Sequence, residues 1–388
     1  MGRRSEISPE KNVIQTKSNL QLSLLTKVLV FAACCLSSGL SNAQATAGVG
    51  FTESLPPEGL TVRTEPAVES EPVVLRNQVG VTIRSKHIAG DPSIVLTNCR
   101  DVTIVSCDLR SIRATDVTGL RVANSHIHDS PNNAVSLDAC DDVLVQGNRF
   151  ESTASGVYAH RSTHLRVVGN LCLDVRGPFP RGQLVQFDKV TGPGNLILGN
   201  VGVNHHGRST PEDMINLYQS VGTADSPIRV EQNLLLGDPE VGSKDKSDSG
   251  SGIMLGDGGG KHQLCRDNTL INPGQVGIGV AAGGHIVVTG NTIVGDRSNV
   301  ANVGLYVWHQ YPKANRGPIL VENNRVRWVN AGGQSNPYWN GGGFPQIIER
   351  DNAFGDPTLA TDGLNSDINY QLPPIPFGEE AVYPFPIE

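Results

Sequence analysis

Helical periodicity is missing from the repeated part of this chain. No repeat holds ten residues with apolar positions spaced at 3.6, which excludes the helical solenoids. Long apolar runs are also scarce. One run, residues 28–36, follows Arg3, Arg4, Lys11, Lys17 and Lys27 and precedes small residues that offer cleavage after Ala43 or Ala45. It is too short for a comfortable membrane span, and its setting is that of a secretory signal peptide over residues 1–45. Cys34 is a poor lipid-anchor site, because Phe31 stands where such signals prefer an aliphatic residue. With no second run of that length, the expected product is soluble and exported. Basic charge is scarce too, with 31 Lys and Arg against 38 Asp and Glu. Residues 1–45 hold five of the basic and two of the acidic residues, so the remainder carries 26 against 36, a net charge near −10. That argues against nucleic acid and anionic membrane surfaces as partners. An acidic polysaccharide would need a cation or a local basic patch as intermediary.

What the chain does have is a recurring phrase: apolar, any, apolar, any, any, Asn, any, apolar. It reads Val143-x-Val145-x-x-Asn148-x-Phe150, then Leu165-x-Val167-x-x-Asn170-x-Cys172. It returns around Asn233, Asn291 and Asn324, more weakly around Asn200 and Asn268, and with Cys107 and Ser125 in the Asn slot. The Asn slots lie 22 to 35 residues apart. Such a period means one supersecondary unit per repeat, stacked as a solenoid. The apolar pairs are β-branched and spaced by two, as in strands. Each repeat also holds a second short strand, such as Val135–Leu137, Val157–Ala159, Val185–Phe187 or Ile215–Leu217. Two or three strands per turn with tight Gly- and Asn-rich bends predict a parallel β-helix. An inward Asn that accepts left-handed geometry at the bend and bonds the next coil would form a ladder.

The phrase resembles the repeat of the right-handed parallel β-helix (pectate-lyase-like) superfamily over about residues 78–352. The resemblance implies an all-β fold, a single-stranded right-handed parallel β-helix solenoid with about ten coils. Residues 46–77 are then expected to form a linker and N-terminal cap, and residues 353–388 a Pro-rich C-terminal cap or tail. The Gly- and aromatic-rich stretch 331–345 and residues 201–213 and 238–252 read as insertions on the binding face. Lyases, hydrolases, epimerases and adhesins share this fold, so function must come from the site.

Five cysteines follow residue 45. Cys172 and Cys265 take core positions and Cys107 a ladder slot. Cys99 and Cys140 match each other, but a coil around residues 114–120 separates them. Two coil rises of roughly 4.8 Å exceed disulfide reach, so no disulfide is expected.

Outward residues of the second-strand set stack in columns. One column reads Asp138, His160, Asp188, Tyr218, Asp257 (displaced by one), Ala281 and Trp308; its neighbour reads Ser136, Tyr158, Gln186, Asn216, Met254, Gly279 and Tyr306. Carboxylates interleaved with rings suit a sugar polymer, offering acids for chemistry and flat faces for stacking. Asp188, His160, Tyr218 and Asp257 are the candidate catalytic residues. Arg208, Asn216, Lys189, Tyr306, Trp308 and His309 are the candidate substrate contacts. The loop 204–213 is expected to wall the groove and to point Arg208 and Glu212 at the Asp188–Tyr218 column, with Asp257 on the floor. Glu212 and Asp213, with Asp188, form a candidate calcium site. The adjacent pair His205–His206 does not suit zinc, and no structural zinc site is expected. Residues 244–252 read as a solvated loop. The run Gly256–Gly260 is no phosphate loop, since no Lys-Ser/Thr or helix follows it. The superfamily's Asp-Asp with Gly-His-Gly and its Asp-Pro-His-Asp signatures are both absent, so no residue role is carried over. The functional expectation is an exported, monomeric enzyme cleaving a polysaccharide by hydrolysis or β-elimination; the alternative is a non-catalytic carbohydrate-binding or cell-surface protein.

Overall fold

The computed structural model describes residues 69–205, 207–237 and 250–359. Residues 1–68, with the expected signal peptide 1–45 and most of the expected linker and cap 46–77, His206, residues 238–249 and residues 360–388 lie outside the described residues. Among the described residues there is no helix; the chain winds as a right-handed parallel β-helix with three strands per turn. Each of three parallel sheets has eleven strands, one from every coil. The first strand begins at Val73 and the last ends at Phe354.

The period-two pattern dictates the packing. Every inward residue meets its counterpart one coil away. In the first sheet Val135, Val157, Val185, Ile215 and Ile253 are successive Cα partners, and all are fully buried. Leu137, Ala159, Phe187 and Leu217 run beside them. One continuous apolar column fills the solenoid axis, which no single coil could bury alone.

The ladder forms with the expected residues and a different bend. Asn148 N–H donates to Asn170 Oδ1 at 3.0 Å, and the same step repeats through Asn200, Asn233, Asn268, Asn291, Asn324 and Asn352. Ser125 and Cys107 continue it toward the N-terminus, Ser125 Oγ accepting from the Cys107 N–H. The left-handed residue is not the Asn. It is the residue just before each slot, for example Gly147, Gly169, Gln232, Asp267 and Asn323, with φ between 55° and 68°. One left-handed residue turns the chain between the second and third strands, and the Asn after it points inward and clamps the next coil.

The described cysteines are free and buried, and Val117 lies between Cys99 and Cys140 as the register requires. The stretch 331–345, read as an insertion, supplies the eleventh strand of the first sheet, Tyr338–Gly342.

Candidate active groove

The register of the first sheet builds both columns as the sequence spacing predicts. Asp138, His160, Asp188 and Tyr218 are successive partners, and so are Ser136, Tyr158, Gln186 and Asn216. Tyr218 then pairs with Asp257 across a one-residue slip. Glycine is required on both sides of that slip. A Cβ on Gly256 would lie 2.1 Å from the Ala282 carbonyl oxygen, and one on Gly258 would lie 2.6 Å from the Tyr218 ring.

On the outer face of the first sheet, over its later coils, lies a groove of about 340 Å³. Its centre is an acid pair joined through one amide. Asn216 Nδ2 donates to Asp213 Oδ2 at 2.7 Å and to Asp257 Oδ2 at 3.0 Å. Gln186 Nε2 donates to Asn216 Oδ1 at 3.1 Å and so holds the amide in that orientation. The Tyr311 hydroxyl donates to the other oxygen of Asp257 at 2.6 Å. Because both carboxylates bond one nitrogen, their nearest oxygens are closer than about 6 Å, short of the roughly 6.5–9.5 Å that admits a water between them. The two acids have different environments. Burial, and next the charge of Glu212, push the Asp213 carboxyl well above the usual carboxylate range, against the opposing Asn216 hydrogen bond.

The rim is aromatic. Trp308, Tyr311 and Trp339 are exposed and line the groove. The Trp308 and Trp339 rings stand 5.3 Å apart, tilted by 57°. A hydrophobic residue exposed alone needs no account, whereas three rings converging on two acids do. A second concavity, of about 390 Å³, lies on the second sheet over His262, His285, Ile286 and Leu320, and no acid is among its described lining residues.

Several expectations need correction. His160, a candidate catalytic residue, is engaged by Asp138 on the preceding coil, its Nδ1 lying 2.9 Å from Asp138 Oδ1. Asp188 accepts from the Tyr158 hydroxyl at 2.9 Å and from Lys189 Nζ at 3.3 Å. Lys189, the left-handed bend residue after Asp188, also faces the Tyr218 ring at 5.7 Å. His160, Asp188 and Lys189 sit on earlier coils, Tyr218 stands at the far end of the strand that carries Asp213, and none of the four lines the groove. Arg208 points away from the column and pairs with the buried Asp174 at 2.9 Å, because loop 204–213 leans on the segment after Leu173. Asn216 is buried with both ends of its amide spent on protein partners, so it positions the acids and has nothing left for substrate. Tyr306 is a buried floor residue whose hydroxyl accepts from Gln310 Nε2 at 2.7 Å. His309 is buried edge-on against Phe344, with Nε2 at 3.2 Å from the Asn315 carbonyl. Trp308 and Asp257 do lie on the groove.

The calcium reading does not fit the residues present. Glu212 Oε2 already accepts from Gln183 Nε2 and from the Asp213 N–H. Asp213 favours its proton, and Asp188 stands at the far end of the neighbouring strand, roughly 16 Å along it at about 3.3 Å per residue. Sequence reasoning missed Tyr311, Gln310 and Trp339. Trp339 had a signal, being the next member of the Tyr306 column. Tyr311 lies in a loop where no periodicity assigns a direction. The spacing His126-Ile127-His128, which the expectation of no zinc-type site overlooks, was present in the sequence as well.

A family model described as the right-handed β-helix region matches residues 73–213. That match covers part of the chain and agrees with the fold the three parallel sheets show, a right-handed parallel β-helix. No curated protein sequence matches it. Among solved structures it is similar to PfbA, a surface adhesin of Streptococcus pneumoniae, at 11% identity and a TM-score of 0.44, covering 69% of this chain and 73% of that one. It is also similar to the periplasmic alginate epimerase AlgG, at 12% identity and a TM-score of 0.47, covering 73% and 76%. A third similar structure is a tailspike protein of E. coli bacteriophage HK620 in complex with pentasaccharide, at 13% identity and a TM-score of 0.39, covering 70% of this chain and 53% of that one.

Proposed function

We propose that this protein is an exported carbohydrate-active enzyme that hydrolyses a neutral polysaccharide in the first-sheet groove. The observation that carries the reading is the pair Asp213–Asp257, held by one amide, with a proton favoured on Asp213. A buried protonated carboxyl suits the general acid that protonates a glycosidic oxygen. Asp257, held from both oxygens by Asn216 and Tyr311, is placed to attack or stabilise the anomeric carbon. Their close spacing fits the retaining geometry, about 5–5.5 Å, better than the inverting one. Trp308, Tyr311 and Trp339 supply the stacking faces for pyranose rings.

Hydrolysis is favoured over β-elimination by charge. The described residues lining the groove include Glu212, Asp213 and Asp257 and no Lys, Arg or His, so a uronate would meet repulsion with nothing to neutralise it. The competing reading, a non-catalytic glycan-binding protein, needs the rings and not the acid pair.

The test is incubation with neutral glycans and uronates, followed both by reducing ends and by absorbance of unsaturated products. Asp257→Asn is expected to lower turnover at least about 1000-fold while leaving glycan binding within a few-fold, and Trp308→Ala to weaken binding roughly 5- to 10-fold. Turnover untouched by Asp257→Asn, or unsaturated products from uronates, would refute the assignment. Binding to wild type without turnover would establish the binding-protein reading instead.

A further inference from the structure

We propose that Asp108, His126 and His128 form a binding site for a zinc-type divalent transition-metal ion on the outer face of the third sheet. The site is independent of the groove. It lies on the second and third coils, while Asp213 is on the seventh, roughly 20 Å away along the axis and on another face.

Strand geometry brings the ligands together. His126 and His128 flank the fully buried Ile127, so both rings leave the same outer face. Asp108 is the Cα partner of His126 on the preceding coil. One ligand atom from each of the three residues lies within 4.8 Å of the other two. Asp108 Oδ1 is 3.1 Å from His128 Nε2, and Oδ2 is 3.6 Å from His126 Nδ1. Bonds of about 2.0–2.1 Å in a tetrahedron put neighbouring ligands roughly 3.3 Å apart, so both distances bracket that value.

A second observation is independent of this convergence. Each histidine turns its remaining ring nitrogen to a carboxylate. His128 Nδ1 lies 2.9 Å from Asp129 Oδ2, and His126 Nε2 faces Glu151 Oε2 at 3.5 Å. That Nε2 is shielded from solvent yet has no hydrogen-bond partner. A metal on Nδ1 would fix the proton on Nε2 and draw it to Glu151, the outer-carboxylate arrangement that orients metal-bound imidazoles. Among the described residues, Asp108 pairs with no Lys or Arg; its ionic partners are these two histidines and His87 at 2.9 Å. Two imidazoles and one carboxylate suit zinc, nickel or copper over calcium or magnesium. All three side chains are partly exposed, which leaves the remaining coordination positions to solvent.

Chelator-treated protein is titrated near neutral pH with Zn²⁺ by calorimetry and with Co²⁺ by visible absorption. One equivalent of Zn²⁺ is expected, displacing bound Co²⁺. His126→Ala/His128→Ala should weaken Zn²⁺ at least about 100-fold and Glu151→Gln about 10-fold. His262→Ala/His285→Ala, which removes a stacked histidine pair on the second sheet, should change nothing. Wild-type protein that takes up no stoichiometric Zn²⁺, or a folded double variant that binds as wild type does, overturns the proposal. Should the double variant not fold, Cu²⁺ bound to wild type decides. Its nitrogen hyperfine pattern is expected to count two imidazoles, and a count of none or one rejects the site.

Discussion

Replacing Asn233 by Ala tests how much of the solenoid's stability resides in its ladder. Asn233 Oδ1 accepts from the Asn200 N–H at 2.9 Å and from Asn200 Nδ2 at 3.0 Å. Its Nδ2 donates to the Ile197 carbonyl at 3.1 Å and to Asn268 Oδ1 at 2.9 Å. Alanine removes all four bonds. The Asn200 side chain keeps its bond to the Val167 carbonyl, but the buried Asn200 N–H loses its ladder acceptor. With about 1 kcal/mol net for each of the other three bonds, and about 1–3 for the orphaned donor, the cost is roughly 4–6 kcal/mol. Asn352 is the internal control. It makes similar bonds, to Asn324 and to the Val321 carbonyl, but it is half-exposed at the ladder's end. Water replaces what Asn352→Ala removes, and the expected cost is about 1 kcal/mol. Equilibrium urea unfolding gives both numbers. Hydrogen exchange should localise the Asn233→Ala damage to coils six to eight, because each coil touches only its neighbours. Equal costs at the two positions, or less than about 1 kcal/mol at Asn233, would refute the reasoning.

Two further predictions follow from burial. Asp213 holds its proton more tightly folded than unfolded, so the native state binds the extra proton and wild-type stability falls as pH rises from about 4 through the raised native value. Asp213→Asn removes that loss, so the variant should gain on wild type by about 1.4 kcal/mol per pH unit across that window, and a gap independent of pH in thermal melts would contradict it. Burial pushes the Cys140 thiol up to about 11 and those of Cys172 and Cys265 higher still, so native protein should resist a thiol reagent and expose all five thiols after residue 45 only in denaturant. Rapid labelling of folded protein would show that the core packing is wrong.

The fold and the placement of its columns were legible in the sequence, down to the displaced Asp257. Period-two spacing decides which residues face in, and the ladder phrase sets the register from coil to coil, so both are local properties of the chain. Contacts made by side chains across coils were not. His160 had Asp138 on one side and Asp188 on the other at the same strand spacing, and only the rotamers settled that it turns to Asp138. Asp213 read as a metal ligand because Glu212 adjoins it and Asp188 stands on the neighbouring coil, and Asn216 read as a substrate contact because it belongs to an outward column.

The sequence by itself determined a repeating strand pattern, an inward ladder and the order of side chains on each outer face, because those depend on alternation and period. Only the tertiary structure decided that the loop after Trp308 folds back to set Tyr311 on Asp257, that Arg208 turns to Asp174, and that three histidines surround Asp108. The first two of these meetings depend on how a bend between strands leaves the solenoid, and an irregular bend has no period from which its direction can be read; the third depends on side-chain rotamers that strand spacing leaves open.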